Sequence, residues 1–118
     1  NVLTDADLWK QQLLDLMLID TLYKNPSLTV SDVAVHLETN TKLISSVINS
    51  GFKMNFNDFI NYYRVEAVKE QLKNGAQKTK TLLGIALECG FNSKATFNRA
   101  FKKHTSVSPK EFLAQNLQ

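Results

Sequence analysis

Between Ser93 and Lys103 the chain sorts its side chains with the period of an α-helix. Phe97, Ala100 and Phe101 fall on one face, and Lys94, Ala95, Asn98, Arg99, Lys102 and Lys103 fall on the other. The second face carries a definite chemistry. A guanidinium bonds O6 and N7 of guanine together, a carboxamide does the same to N6 and N7 of adenine, and ammonium groups suit phosphates. Lys102-Lys103 alone reads as an ordinary solvated face. Its place after Arg99 on one helix, with Ser93 at the start, points to double-stranded DNA. A second outward set lies upstream: Thr41, Lys42, Ser45, Ser46 and Asn49, opposite Ile44, Val47 and Ile48. These side chains are small, polar and nearly uncharged. They can touch bases but add little electrostatic pull, so a weaker contribution is expected from them.

Other chemistries find less support. His36 and His104 have no cysteine or carboxylate at ligand spacing, so structural or solvated roles are expected. Cys89, the single cysteine, falls inward on its helix and reads as an inert core thiol. It can form neither an intrachain disulfide nor a cysteine-rich zinc site. There is no glycine-rich phosphate loop, no HExxH, no GxSxG and no pair of carboxylates in an apolar setting. No enzyme, cofactor or metal is expected. Phe56, Phe59, Phe97, Phe101 and Phe112 sit at core spacing rather than on a base-stacking platform. Tyr63 reads as the core residue of the pair Tyr62-Tyr63. Arg64 can serve a neighbouring helix end or a phosphate, and the sequence leaves both open. Trp9 is expected to pack the first helix, with stacking on an upstream domain as the alternative.

The elements that must position these residues are helices. The 118 residues are 43% hydrophobic, enough for a core and too many for disorder. No apolar run approaches the ~20 residues of a membrane span; the stretch from Leu13 to Leu22 is interrupted by Asp15 and Asp20. The first residue is Asn and no signal-peptide pattern follows, so a piece of a longer cytoplasmic protein is expected. The net charge of +3 conceals an asymmetry. Residues 1–51 carry three basic and six acidic side chains, whereas residues 52–118 carry eleven and five. A basic second half favours a polyanionic partner.

Start and stop signals divide the chain into seven helices. Thr4 with Asp7 opens the first, expected to run to about Lys24 before Asn25-Pro26-Ser27. Thr29 with Asp32 opens a short second helix, carrying Val33, Ala34 and Leu37. Asn40 opens the third, with Ser50-Gly51 as its expected end. Phe52, Met54 and Phe56 alternate like a strand, but Phe56, Phe59, Ile60, Tyr63 and Ala67 step by three and four, which predicts a helix from about Asn57 to Asn74 with Gly75 as its stop. Thr81 opens the fifth helix, stopped by Gly90, and Ser93 opens the sixth. Ser108-Pro109-Lys110-Glu111 places serine at the cap, proline at the first helical position and glutamate two residues further on, which predicts a seventh helix. The expected organisation is a leading helix (1–26), a first helix-turn-helix (27–56), a linker helix (57–75) and a second helix-turn-helix with a closing helix (76–118).

The second and third helices repeat as the fifth and sixth. Val33-Ala34 matches Ile85-Ala86, Leu37 matches Cys89, and Ile44 and Ile48 match Phe97 and Phe101. Two short helices crossing steeply need a small residue where their backbones approach, and Ala34 and Ala86 supply it. Their turn often needs a positive φ. Gly90 takes that conformation without penalty; Glu38, at the matching place, must avoid it or bear strain.

Over about residues 27–114 the chain resembles the AraC/XylS family of bacterial transcription regulators. The resemblance is carried by Ile85-Ala86, Gly90-Phe91-Asn92-Ser93, Phe97-Asn98-Arg99-Ala100-Phe101-Lys102-Lys103, Ser108-Pro109 and Phe112. Phe59-Ile60-Asn61, Arg64 and Ala67 to Leu72 are similar to the family's linker helix. The resemblance implies control of transcription through DNA, usually activation, with RNA polymerase as a further partner and a sensor or dimerisation domain upstream. Glu38 departs from the glycine common in the family's first turn, and Ser46 stands where an arginine is often found. The linker of about 18 residues spans roughly 27 Å, against roughly 34 Å between successive major-groove faces. With the subdomains' own width, one monomer can then reach two adjacent groove segments, bending the duplex if the helices sit closer. The competing reading is a helical protein–protein module without DNA binding, which the acidic first half would suit.

Overall fold

A computed structural model describes residues 4–116. Among them are seven α-helices, two short 3-10 turns and no strand. The chain divides into two compact units, Asn1–Ile60 and Asn61–Gln118, with the boundary inside the fourth helix.

The first unit holds α1 (Asp5–Leu18), α2 (Val30–His36), α3 (Thr41–Phe52) and the start of α4 (Phe56–Lys73). The expected capping boxes are formed. The Thr4 hydroxyl accepts from the Asp7 amide at 3.1 Å, and that of Thr29 from the Asp32 amide at 3.2 Å. α3 packs against both α1 and α2. Leu13, Leu16, Met17, Val33, Ala34, Ile44, Val47 and Ile48 are buried, together with Phe59 and Ile60 of α4.

Two helix ends differ from expectation. α1 stops at Leu18, not near Lys24; Thr21 turns left-handed at φ 50°, and a 3-10 turn follows at Leu22–Lys24. The phase of the helix explains the break. Beyond Leu13, Leu16 and Met17, the same face of a continued helix would bring Asp20 and Lys24 into the core. The bend leaves these two exposed and buries Tyr23 instead. α3 likewise runs through Gly51 to Phe52 and ends at Lys53, with φ 59°. Gly51 serves a close approach rather than a stop, since a Cβ there would lie 2.9 Å from Cδ of Lys10. The Lys10 stem crosses the glycine and sets its ammonium 5.5 Å from the centre of the Phe52 ring.

The second unit contains the rest of α4, a 3-10 turn at Ala76–Lys78, α5 (Leu82–Glu88), α6 (Lys94–Thr105) and α7 (Pro109–Asn116). Gly75, at φ 85°, closes α4 as expected. At the last helix the Ser108 hydroxyl accepts from the Glu111 amide at 3.1 Å, and a Glu111 carboxylate oxygen accepts from the Ser108 amide at 3.0 Å. Val65, Val68 and Leu72 of α4 join Ile85, Ala86, Cys89, Phe91, Phe97, Ala100, Phe101 and Phe112 in one core. Its rings form a chain of edge and tilted contacts. Phe91 to Phe97 measures 5.4 Å, Phe97 to Phe101 5.8 Å and Phe101 to Phe112 5.5 Å between centroids.

Candidate nucleic-acid interface

Each unit contains one copy of the same helix-turn-helix. In the first, the Thr39 amide reaches back to the Ala34 carbonyl at 2.9 Å and the Glu38 amide to Val35 at 3.1 Å. In the second, the Phe91 amide reaches the Ala86 carbonyl and the Gly90 amide reaches Leu87, both at 3.1 Å. These two bonds recur at matching positions in both turns. The helix that follows is capped in both: Asn40 Oδ1 accepts from the Leu43 amide at 2.8 Å, and Ser93 Oγ from the Thr96 amide at 3.2 Å.

The turn aims the second helix of each pair, and the core fixes its rotation. In α6, Phe97, Ala100 and Phe101 are buried, while Ser93, Lys94, Ala95, Asn98, Arg99, Lys102 and Lys103 are all exposed. Ser93 faces water, but its oxygen is engaged in the cap. Arg99 makes no side-chain hydrogen bond or ion pair among the described residues, and its guanidinium is open to a ligand. In α3, Ile44, Val47 and Ile48 are buried, Thr41, Lys42, Ser46 and Asn49 are exposed, and Ser45 is half-buried. The structure thus groups the sequence-derived residues into two sets, one on each helix-turn-helix, with the cationic side chains concentrated on α6.

Other residues singled out above have different surroundings. Arg64 is half-buried, with its guanidinium 5.9 Å from the Phe91 ring centre and Nη1 donating to Asn61 Oδ1 at 3.2 Å. Burial pulls its pKa below the usual arginine value. Arg64 therefore packs onto the core that orients α6. Tyr62 stands edge-on to both Tyr63, at 5.2 Å, and His104, at 5.8 Å. Burial, with Tyr62 alongside, pushes the Tyr63 hydroxyl up. Cys89 is buried as expected, and Gln71 Nε2 lies 3.4 Å from its sulfur. His36 is exposed. Among the described residues no group of three or more His, Cys, Asp or Glu is placed to hold a metal. Trp9 is half-buried and lines a shallow groove between α1 and α3 with Lys10, Leu43, Ser46 and Val47.

A larger groove of about 640 Å³ opens beside α6, between the starts of α5 and α7. Its lining combines Leu82, Leu83, Phe97 and Pro109 with Lys94, Asn98, Lys102 and Lys110. Thr81 and Lys110 were not part of the sequence-derived set. Both lie at helix starts, where local pattern reads them as capping and helix-opening residues.

Residues 33–115 match the family model for a helix-turn-helix domain. The chain is 28% identical over 86 residues to the melibiose operon regulatory protein of Escherichia coli strain K12, covering 73% of this chain and 28% of that protein. It is 43% identical over 51 residues to the probable transcription factor PqrA of Proteus vulgaris, covering 43% of this chain and 42% of that one. The matched parts thus cover less than half the length of each of these relatives. Among solved structures, the C-terminal domain of AraT, a response regulator from Geobacillus stearothermophilus, superimposes with a TM-score of 0.76 at 22% identity, covering all of this chain and 91% of that one. A protein of unknown function from Listeria innocua gives 0.72 at 25% identity, covering 87% and 92%. Among the described residues no helix is long and apolar enough to cross a membrane. With the family match extending over most of the chain and two copies of one turn within it, the chain belongs to the AraC-type family of helix-turn-helix, DNA-binding transcription regulators.

Proposed function

We propose that the chain reads double-stranded DNA by sequence, through two helices that enter adjacent major-groove segments, with α6 as the principal reader and α3 as the lesser one. The observation that carries this is the sorting of α6. Three buried apolar residues fix its rotation and leave Asn98 and Arg99, both able to make bidentate bonds to base edges, on the exposed face. Lys102 and Lys103 supply phosphate contacts. Thr41, Lys42, Ser45, Ser46 and Asn49 of α3 offer shorter contacts with one formal charge, and half-buried Ser45 has the least reach. The 18 residues of α4 support the two-segment reading. So does the presence of one helix-turn-helix in each unit.

The matched part is 28% of the melibiose operon regulatory protein, which carries a long segment beyond it. An upstream sensor or dimerisation domain, RNA polymerase as a partner and a cytoplasmic setting belong to the same proposal. Neither catalysis nor a cofactor has a place in it. One observation favours a protein contact as well: Leu18 and Ile19 are 66% and 73% exposed on the acidic first unit. Titration of a fluorescent duplex at several salt concentrations, with competitor DNA present, tests the reading. Affinity that falls steeply with salt and survives competitor supports it; no binding at low salt, or salt-independent binding, overturns it.

A further inference from the structure

The groove beside α6 has features that base reading does not use. Lys94 and Lys102 are eight residues apart on α6, about 12 Å along the axis, so their ammonium groups need not serve the same phosphate. Lys110, from the start of α7, adds a third cation to the lining, and Thr81 adds a hydroxyl. Among the described residues no carboxylate lines the groove. Glu111 lies close enough for Lys102 to lower its pKa slightly, but its main partners are the backbone amide and side chain of Ser108. Leu83, 38% exposed, adds apolar surface to the lining.

We propose that this groove seats the sugar–phosphate backbone of one DNA strand, with Lys94, Lys102 and Lys110 on separate phosphates and Leu83 against the sugars. The inference rests on the DNA reading of α6. Lys94, Asn98 and Lys102 belong both to the exposed face of that helix and to the groove, so a duplex laid on α6 covers its mouth. The charge is complementary to a phosphate run, and the apolar part of the lining matches the less polar faces of deoxyribose. Such contacts fix register without reading sequence. Lys110 thereby becomes a phosphate-contact residue outside the helix-turn-helix itself. Thr81 has a smaller part, because its hydroxyl already accepts from the Gly84 amide at 2.9 Å.

The test compares the parent chain with Lys110→Ala and Lys80→Ala on a duplex selected from a random pool and on its scrambled counterpart, at several salt concentrations. Lys80→Ala removes the same charge from the same unit outside the groove, where Lys80 pairs with Glu88 at 3.0 Å. Lys110→Ala should lower the salt slope by about 1 and weaken both duplexes by the same factor; Lys80→Ala should leave the slope unchanged. Single methylphosphonate substitutions then locate the contact. At one position a neutral phosphate should weaken the parent chain and add nothing to the loss in Lys110→Ala. Thermal melts of the variants exclude unfolding as the cause. If Lys110→Ala binds like the parent, or loses no more than Lys80→Ala, the strand does not run here. Parental binding that stays salt-dependent and selective then confines the failure to the groove and leaves the DNA reading of α6 standing. A parent chain that binds no duplex overturns the reading beneath it as well.

Discussion

Glu38 and Gly90 hold the same place in two copies of one turn, and both have positive φ, 55° and 109°. Only the glycine takes such a conformation freely. The glutamate is held there by the helices on either side, with its amide on Val35 and the next amide on Ala34. A left-handed non-glycine residue costs roughly 1–2 kcal/mol, and part of that is recovered because glycine loses about 0.4–1 kcal/mol more entropy on folding. Glu38→Gly should therefore stabilise the first unit by about 0.5 kcal/mol. Gly90→Ala should destabilise the second by more than about 1 kcal/mol. Chemical denaturation of both variants checks the pair, and opposite signs are the expected outcome.

Ala34 is 3% exposed and Ala86 fully buried, each at the crossing of its two short helices. Leucine at either position forces added volume between backbones that already bond across the turn. Ala34→Leu and Ala86→Leu should each cost about 1–3 kcal/mol. Thermal melts that coincide with the parent's would remove these positions from the crossing.

Acid should loosen two helix starts. Asp7 is held below the usual aspartate pKa by hydrogen bonding from the Thr4 side chain and backbone, and Glu111 below the usual glutamate value by bonds from the Ser108 backbone and side chain. A depressed folded pKa means stability that is present above the unfolded value and lost as pH falls through the folded one. The contribution should therefore fade below about pH 4. Glu111→Gln should flatten the acid side of the stability profile. An unchanged profile would show that the box at Ser108 has no electrostatic share. Ser108→Ala removes the cap itself and should cost about 1 kcal/mol at neutral pH.

The caps and the repeat are legible in the sequence because they depend on a few adjacent residues. Thr4, Thr29, Asn40, Ser93 and Ser108 each act within one helical turn. The outward face of α6 is legible because Phe97 and Phe101 leave little choice of rotation. Long-range contacts hide the rest. Gly51 reads as a stop until the Lys10 stem is seen against it. The end of α1 depends on where Tyr23 must go. On α4, Phe56, Tyr63 and Ala67 keep helical step but are only half-buried, while Val65, Val68 and Leu72 fill the second core. One apolar stripe was expected, and the helix has two, because it contributes to both units. Lys110 lies outside the repeat and Thr81 reads as the cap that matches Thr29, so only the fold brings them beside Lys94.

The most direct measurement compares Arg99→Ala with the pair Ser45→Ala, Ser46→Ala on selected and scrambled duplexes, with Lys103→Ala as the phosphate-contact reference. A guanidinium on guanine is worth roughly 1–3 kcal/mol of discrimination. Arg99→Ala should collapse the ratio of specific to non-specific affinity. Lys103→Ala should weaken both duplexes alike and mainly reduce the salt slope, and the serine pair should cost less than Arg99. If Arg99→Ala leaves the ratio intact while the serine pair destroys it, α3 and not α6 is the principal reader.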